Sequence, residues 1–272
     1  MSLGVCALCA DEKELRESHL IPAAVSKSLH RDVPGSQEPV SVTATITMQT
    51  SRQFKGHVFC GDCEERLNRS GEAWVLGKMA RLEGFPLLDA LSDVAPSLLF
   101  EDGELYETAE IPAIDAEKLA YFGLSMFWRT AVHRWKGIDG NVRQLGLGPY
   151  REPMRRFLLG LEPFPTGVVL AVGLWPNRDT VWYGTYLPRL HTTQPYHTFT
   201  FYIPGVTFIL CTGKGIPSEV RRLCCYSGSG RPVFTSTNIA LKNGNFYNEL
   251  KKMSRLSRSL DPARVPHFPG VV

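Results

Sequence analysis

Two cysteine pairs near the start of the chain constrain its fold more than any other feature of the sequence. Cys6 and Cys9 form the first pair and Cys60 and Cys63 the second, each with the spacing Cys-x-x-Cys. One such turn places two sulfur atoms around a metal ion, and two turns complete the tetrahedral thiolate set that Zn²⁺ prefers. We therefore predict a closed, structural zinc site with four cysteine ligands. The alternative is two unrelated pairs, one of them redox-active, although a redox pair is expected after a strand in a βαβ unit.

The composition of the 272-residue chain excludes several classes of protein. Hydrophobic residues make up 43% and charged residues 21%, which is too apolar a balance for a disordered chain. No apolar run approaches the roughly 18–20 residues that cross a membrane, and the N-terminus shows no secretory signal. We therefore expect a cytoplasmic protein with no membrane partner. The net charge of +3 permits nucleic-acid binding but does not argue for it.

The three remaining cysteines are predicted to be core residues. Cys211, Cys224 and Cys225 have apolar neighbours and no Cys-x-x-Cys spacing. Free cysteines behave as small apolar side chains and are among the most often buried residues. The odd total of seven cysteines also makes a disulfide framework a poor explanation.

The fold class predicted from the sequence is α+β, in two parts. Residues 1–84 form the first part, a zinc module with four cysteine ligands. Apolar and Thr or Ser residues alternate over 40–48, which is the period of a half-buried strand. The polar run after Cys63 lacks strand character and is predicted to open a helix, with its acidic residues at the positive end of the helix dipole.

Residues 85–272 form the second predicted part, a mixed domain of helices and antiparallel sheet. It begins with a connection over 85–112 that contains several Pro and Gly residues. A central helix is predicted over 116–135, capped by Asp115 and apolar around much of its circumference. Short runs of β-branched and aromatic residues, separated in part by turn residues, predict a β meander over 167–211.

His19 lies ten residues after Cys9, between the two cysteine pairs, in the segment Ser18-His19-Leu20-Ile21-Pro22. With the cysteines it forms the pattern C-x-x-C … S-H-L-I-P … C-x-x-C-E-x-x-L, which resembles a divergent bacterial branch of the HNH, or His-Me finger, endonuclease superfamily. The resemblance covers residues 1–75, and the segment 125–129 also looks like part of that branch. It implies a zinc-stapled, treble-clef-like ββα module with the histidine at the end of the first strand.

The resemblance also implies roles for individual residues. His19 falls on the general base, which takes a proton from water so that hydroxide attacks a phosphodiester. Asn68 falls on the last motif position, a ligand to one Mg²⁺ or Mn²⁺ ion, which neutralises the phosphate. His57 is the best candidate for the middle position, and Gln53 is the next.

The pattern departs from that of the superfamily at one position. Ser18 stands where an Asp often precedes the histidine and binds the catalytic metal, and a hydroxyl is a weaker ligand for a hard cation. Glu72 lies four residues beyond Asn68, so that in a regular helix it shares the same face. Glu72 is therefore a candidate for the missing carboxylate.

The function predicted from these features is metal-dependent, HNH-like hydrolysis of phosphodiester bonds in DNA, with RNA as an alternative substrate and prokaryotic defence as one setting. Arg151, Arg155 and Arg156 lie on one predicted helix over 149–160 and are candidates for phosphate contacts. A homodimer is compatible with this prediction.

Two other functions remain open at this point. One is a non-catalytic zinc module that binds nucleic acid or a partner protein, which the Ser at position 18 favours. The other is a ligand-binding β domain in which zinc serves only as a structural staple. In both cases His19 is a structural residue whose ring hydrogen-bonds to the backbone.

Overall fold

The computed structural model describes most of the chain as alternating strands and helices. The described residues are 2–31, 40–42, 47–50, 52–101, 103–137, 139–193, 195–226 and 230–236. Within them the architecture is mixed α+β, as predicted from the sequence. None of the described helices combines the length and the apolar character needed to cross a membrane.

The strands are numbered in chain order. They are β1 (Ser2–Val5), β2 (Glu12–His19), β3 (Val40–Val42), β4 (Thr47–Gln49), β5 (Lys55–Cys60), β6 (Leu98–Phe100), β7 (Gly103–Glu107), β8 (Trp135–Lys136), β9 (Val142–Arg143), β10 (Val168–Leu174), β11 (Tyr186–Thr192), β12 (His197–Ile203), β13 (Val206–Thr212) and β14 (Pro232–Ser236).

The helices are numbered in the same way. They are α1 (Ala23–Arg31), α2 (Gly61–Leu67), α3 (Ala73–Lys78), α4 (Pro86–Asp89), α5 (Ala116–Val132), α6 (Arg151–Leu158) and α7 (Ser218–Arg222). A π-helical turn, Asn68–Glu72, joins α2 to α3 without a break in helical backbone. Short 3-10 turns are formed by Thr108–Glu110, Gly148–Tyr150 and Arg178–Thr180.

The first sheet contains the antiparallel strands β1, β2 and β5, with β2 in the centre. Its register shifts once, because Arg16 pairs with Phe59 while Glu17 pairs with His57. Such a bulge changes which side chains face the core. Leu15 and Ser18 are consequently both buried, although they lie three residues apart. Strand β5 leads directly into α2.

The second sheet has seven strands in the order β11-β12-β13-β10-β14-β7-β6. Strands β11 to β13 form an antiparallel meander, but β10, which the predicted meander over 167–211 also includes, pairs with β13 and not with β11. The sheet is also not purely antiparallel, because β10 and β14 run parallel. Strands β6 and β7 come from the segment 85–112, which was wrongly predicted to be only a connection.

The central helix α5 packs between this sheet and the turn that follows α2. Asp115 caps it as predicted, since its carboxylate accepts a hydrogen bond from the backbone nitrogen of Lys118 at 3.0 Å. The helix ends at Val132 rather than at residue 135, because the chain continues into β8. On the sheet side, Phe122 packs against Phe208 with ring centroids 5.5 Å apart.

A single buried cluster runs through both predicted parts of the chain. Phe59 of the first sheet stacks on Trp128 of α5 with ring centroids 5.9 Å apart, and both belong to the same core as Phe201. The division at residues 84 and 85 stays a prediction. Apolar packing is nevertheless continuous across it.

Two further predictions are decided by the local structure. The single strand expected at 40–48 is wrong, because β3 and β4 are two short strands paired antiparallel, and residues 43–46 between them lie outside the described residues. The burial of Cys211, Cys224 and Cys225 is confirmed.

Candidate metal centre and the histidine beside it

The four cysteines of the two pairs come together at one point. Their sulfur atoms all lie within 4.8 Å of one another, and the sulfur atoms of Cys9 and Cys60 are 3.9 Å apart. A tetrahedral zinc site with Zn–S bonds of about 2.3 Å requires sulfur atoms about 3.8 Å apart. The cluster could therefore bind a metal ion such as zinc. In the described part of the chain, no other group of three or more Cys, His, Asp or Glu side chains brings its ligand atoms close enough together to bind one metal ion.

Local backbone structure sets the positions of both pairs. Cys6 and Cys9 lie in a tight turn, where the amide of Ala10 donates to the carbonyl of Cys6 at 2.9 Å and Ala10 adopts a positive φ of 66°. The second pair spans the junction of β5 and α2. The backbone N–H of Cys60 donates to the sulfur of Cys6 at 3.3 Å, which joins the two knuckles.

The thiols of the cluster perturb one another. A hydrogen bond with Cys63 lowers the pKa of Cys6, and the same bond raises the pKa of Cys63. Burial raises the pKa of Cys9 to about 11. A metal ion would replace these shared protons, because thiolates are the metal-binding form and binding releases their protons.

His19 is the last residue of β2 and is half-buried. It pairs across the sheet with Lys55, whose ammonium group donates to Glu17 at 2.8 Å. Burial lowers the pKa of His19, and the positive charge of Lys55 lowers it further. The negative charges of Glu17 and Glu64 act in the opposite direction but are smaller effects. The imidazole is therefore neutral near pH 7, which is the form that accepts a proton.

Ser18 does not take the place of a metal-binding carboxylate. It is buried, and its hydroxyl accepts a hydrogen bond from the backbone nitrogen of Phe59 at 3.3 Å and donates to the carbonyl of Arg16 at 3.4 Å. Successive side chains of a strand point to opposite faces, so this hydroxyl lies on the side of β2 away from His19.

Glu72, the candidate carboxylate, is linked to His19 by Arg129, which contacts both residues. Its Oε2 atom is 3.4 Å from Nη2 of Arg129, and Nη1 of Arg129 donates to the backbone carbonyl of His19 at 2.9 Å. Burial raises the pKa of Glu72, which the charge of Arg129 opposes and the charge of Glu64 reinforces.

The other predicted site residues are not joined to His19. Asn68 and His57 are both exposed, and no hydrogen bond between described residues joins either side chain to His19. Asn68 opens the π turn and faces solvent, whereas Glu72 at the end of the same turn is half-buried. Gln53 is half-buried, and its Oε1 atom is enclosed without a hydrogen-bond partner in the described structure.

The three candidate phosphate-binding arginines of α6 differ in their surroundings. Arg155 forms two hydrogen bonds with Glu152, each at 2.8 Å, and a third to the carbonyl of Leu8 in the first knuckle. Arg156 pairs with Glu162. Arg151 is exposed and lines a cavity of about 500 Å³. Phosphate contact by Arg155 or Arg156 would therefore compete with an existing ion pair.

Two residues near His19 received no role from the sequence, although Arg129 ends the segment 125–129 that contributes to the resemblance. Arg129 is almost completely buried in an otherwise apolar helix, and a charge at such a position is a signal, because arginine is rarely buried without a partner. Glu64 directly follows Cys63 and interacts with both His19 and Glu72. Its Oε1 atom is buried without a hydrogen-bond partner among the described residues.

The chain was compared with protein-family models, curated proteins and solved structures, and none of them matches it.

Proposed function

We propose that this protein is a zinc-stabilised, metal-dependent HNH-like endonuclease that hydrolyses phosphodiester bonds in DNA. The observation that carries the proposal is the position of His19. It ends strand β2, beside the antiparallel strand β5 that leads into α2, and its lowered pKa suits a general base near neutral pH.

The cysteine cluster has a structural role in this proposal. Four thiolates in tetrahedral spacing close the coordination of Zn²⁺ and leave no position for substrate. The metal holds the turn before β2 to the start of α2. It thereby fixes the strand that carries His19 relative to the helix that follows β5.

The proposed reaction uses the imidazole of His19 to take a proton from a water molecule that attacks the phosphorus atom. A bound Mg²⁺ or Mn²⁺ ion would neutralise charge on the phosphate and stabilise the leaving oxygen. Glu72 and Glu64 are the carboxylates near His19 that are suited to such a hard cation, and Asn68 is an exposed amide on the same helical stretch.

A second candidate function is a non-catalytic zinc module that binds nucleic acid or a partner protein. The observation that favours it is the engagement of the carboxylate Glu72 by Arg129, together with the inward position of Ser18. In this arrangement the Ser18 hydroxyl points inward, and a hard cation on Glu72 would compete with Arg129. Whether the protein cleaves nucleic acid therefore distinguishes the two functions.

Cleavage of supercoiled plasmid with Mg²⁺ or Mn²⁺ tests the proposal. Wild-type protein is expected to nick or linearise the plasmid, and His19→Ala to lower the rate by about 100-fold or more, since general-base catalysis contributes about 10²–10⁴-fold. His197→Ala, which removes an exposed histidine of β12, is the control and should cut like wild type. A labelled single-stranded RNA in a parallel reaction distinguishes the two nucleic acids.

Two results would contradict the endonuclease proposal. If His19→Ala cuts as fast as wild type, the activity does not come from this site. If wild-type protein cuts neither substrate but retards DNA in a gel, the binding module is the better assignment.

A further inference from the structure

Arg129 is a charged residue in the interior of the protein. It lies on α5 with only 2% of its surface exposed, among residues that are almost all apolar. Burying a guanidinium group costs several kcal/mol unless charged and hydrogen-bonding partners compensate. Its partners therefore indicate what the residue holds in place.

The guanidinium group of Arg129 contacts three different elements. Nη1 donates to the carbonyl of His19 at the end of β2 at 2.9 Å. Nη2 lies 3.4 Å from the carboxylate of Glu72 in the π turn. The central carbon lies 5.7 Å from the ring centroid of Phe59 on β5. The planar guanidinium group of arginine presents a fixed fork of donors and can contact all of these partners at once. The ammonium group of lysine is a compact point charge without this fork.

The charged groups around Arg129 are close to balance. Glu72 from the π turn and Glu64 from α2 supply negative charge, and the positive charge of Lys55 on β5 acts on His19 together with that of Arg129. The Nε atom of Arg129 is buried and has no partner among the described residues. Two of the three guanidinium nitrogens are thus committed to Glu72 and to the backbone of His19.

We propose that Arg129 is the positioning residue of the His19 site. It holds the strand end that carries the imidazole and the carboxylate of Glu72 in one fixed arrangement. Because the hydrogen bond goes to the carbonyl of His19 and not to its ring, the imidazole stays free to accept a proton. This inference rests on the proposed function for the role of His19, but the contact itself exists whether or not the protein cuts nucleic acid.

A purely structural role for Arg129 makes a different prediction. Buried ion pairs can often be replaced by apolar or neutral groups of similar volume at little cost in stability. The double variant Arg129→Met with Glu72→Gln removes both charges at once, so that no unpaired charge remains in the core. If Arg129 served only packing, this variant would keep the fold and would cut no more slowly than Glu72→Gln alone, which removes the candidate metal ligand but keeps Arg129.

The experiment compares wild type with this double variant, Glu72→Gln, Arg129→Lys and a control, Arg81→Met. Arg81 is a partly buried arginine that donates to the carbonyl of Leu76 and not to the His19 site. Zinc content and melting temperature establish that each variant is folded. We expect kcat for plasmid cleavage in the double variant to be about 100-fold below that of Glu72→Gln alone, the loss that a misplaced catalytic group produces, with little change in KM. Arg129→Lys should recover part of kcat, and Arg81→Met should match wild type.

A second measurement is independent of cleavage. The carbonyl ¹³C and imidazole ¹⁵N resonances of His19, recorded by NMR, should move in the double variant and stay unchanged in Arg81→Met. If wild-type protein does not cut, the endonuclease proposal fails, and these resonances still decide whether Arg129 positions His19.

The outcomes that would overturn the inference are distinct from those that would overturn the endonuclease proposal. A folded double variant with the kcat of Glu72→Gln, or with unchanged His19 resonances, would show that Arg129 does not position the site. If the double variant does not fold, Arg129→Lys is the deciding protein, and wild-type kcat together with unchanged His19 resonances in that variant would overturn the inference.

Discussion

A Cβ atom on Gly71 would lie 2.9 Å from the backbone nitrogen of Phe122 and 2.9 Å from the carbonyl oxygen of Lys118. Both contacts are with the backbone of α5, which has little freedom to move away. The absence of a side chain at Gly71 therefore lets the π turn lie directly against α5. Glu72, the next residue, is brought against Arg129 by this close approach.

The Gly71→Ala substitution is expected to destabilise the protein by about 1–3 kcal/mol, because the added methyl group forces two packed helices apart. Gly77→Ala in α3 is the matched control, since a Cβ atom there has no neighbour within 4 Å. It should be neutral or stabilise by up to about 1 kcal/mol, as alanine is the better helix former. Urea unfolding measures both, and equal stabilities for the two variants would contradict the close contact.

The metal site predicts a selective effect of cysteine substitution. Purified protein should contain about one zinc ion per chain, bound by the four clustered thiolates, and Cys60→Ser should lose the metal together with thermal stability. Cys211→Ser is the control, because Cys211 is buried but lies outside the cluster, and it should keep its zinc. Metal analysis decides the matter, and well-folded, metal-free wild-type protein would contradict the prediction.

The N-cap of helix α5 is expected to contribute measurably to the stability of the protein. Asp115→Ala removes the side-chain acceptor for the amide of Lys118 and should cost about 1 kcal/mol of stability. Glu117→Ala in the same turn removes an exposed ion pair with Arg231 and should cost less than about 1 kcal/mol, as exposed pairs contribute little. Urea unfolding of both variants provides the test, and a larger loss in Glu117→Ala would argue against the cap.

His133 predicts a pH dependence of stability. Burial lowers its pKa in the folded state, and a Cβ atom on Gly56 would lie 2.7 Å from its Nε2 atom. The unfolded state therefore binds the proton more readily, so that stability is full above about pH 6.5 and is lost as pH falls towards the lower folded-state pKa. His19 and His191 act in the same direction.

The variant His133→Gln isolates this contribution, because glutamine does not titrate. The free energy of unfolding should fall between pH 7.5 and pH 5.5 in wild type, and it should fall less in His133→Gln. Urea unfolding at the two pH values is the measurement. The same pH dependence in both proteins would show that His133 does not contribute.

Features that depend on residues close together in the chain were predictable from the sequence. The spacing of the cysteine pairs indicates shared ligands, and the four sulfur atoms do converge. The start of α5 follows from Asp115 and the apolar pattern after it. The strands β6 and β7 were not predictable, because they are short and follow Pro and Gly residues. The pairing of β7 with β14 also joins segments more than one hundred residues apart in the chain.

The contacts around His19 were also not predictable from the sequence, because they join side chains that lie far apart in the chain. The sequence by itself determined that four clustered cysteines, three histidines and several carboxylates lie in the first quarter of the chain. Only the tertiary structure decided that Arg129, 110 residues from His19 and 57 from Glu72, joins the two, and that Asn68 faces solvent. The physical reason is that a periodic pattern reports which face of a helix or strand is buried. It does not report which partner buries that face.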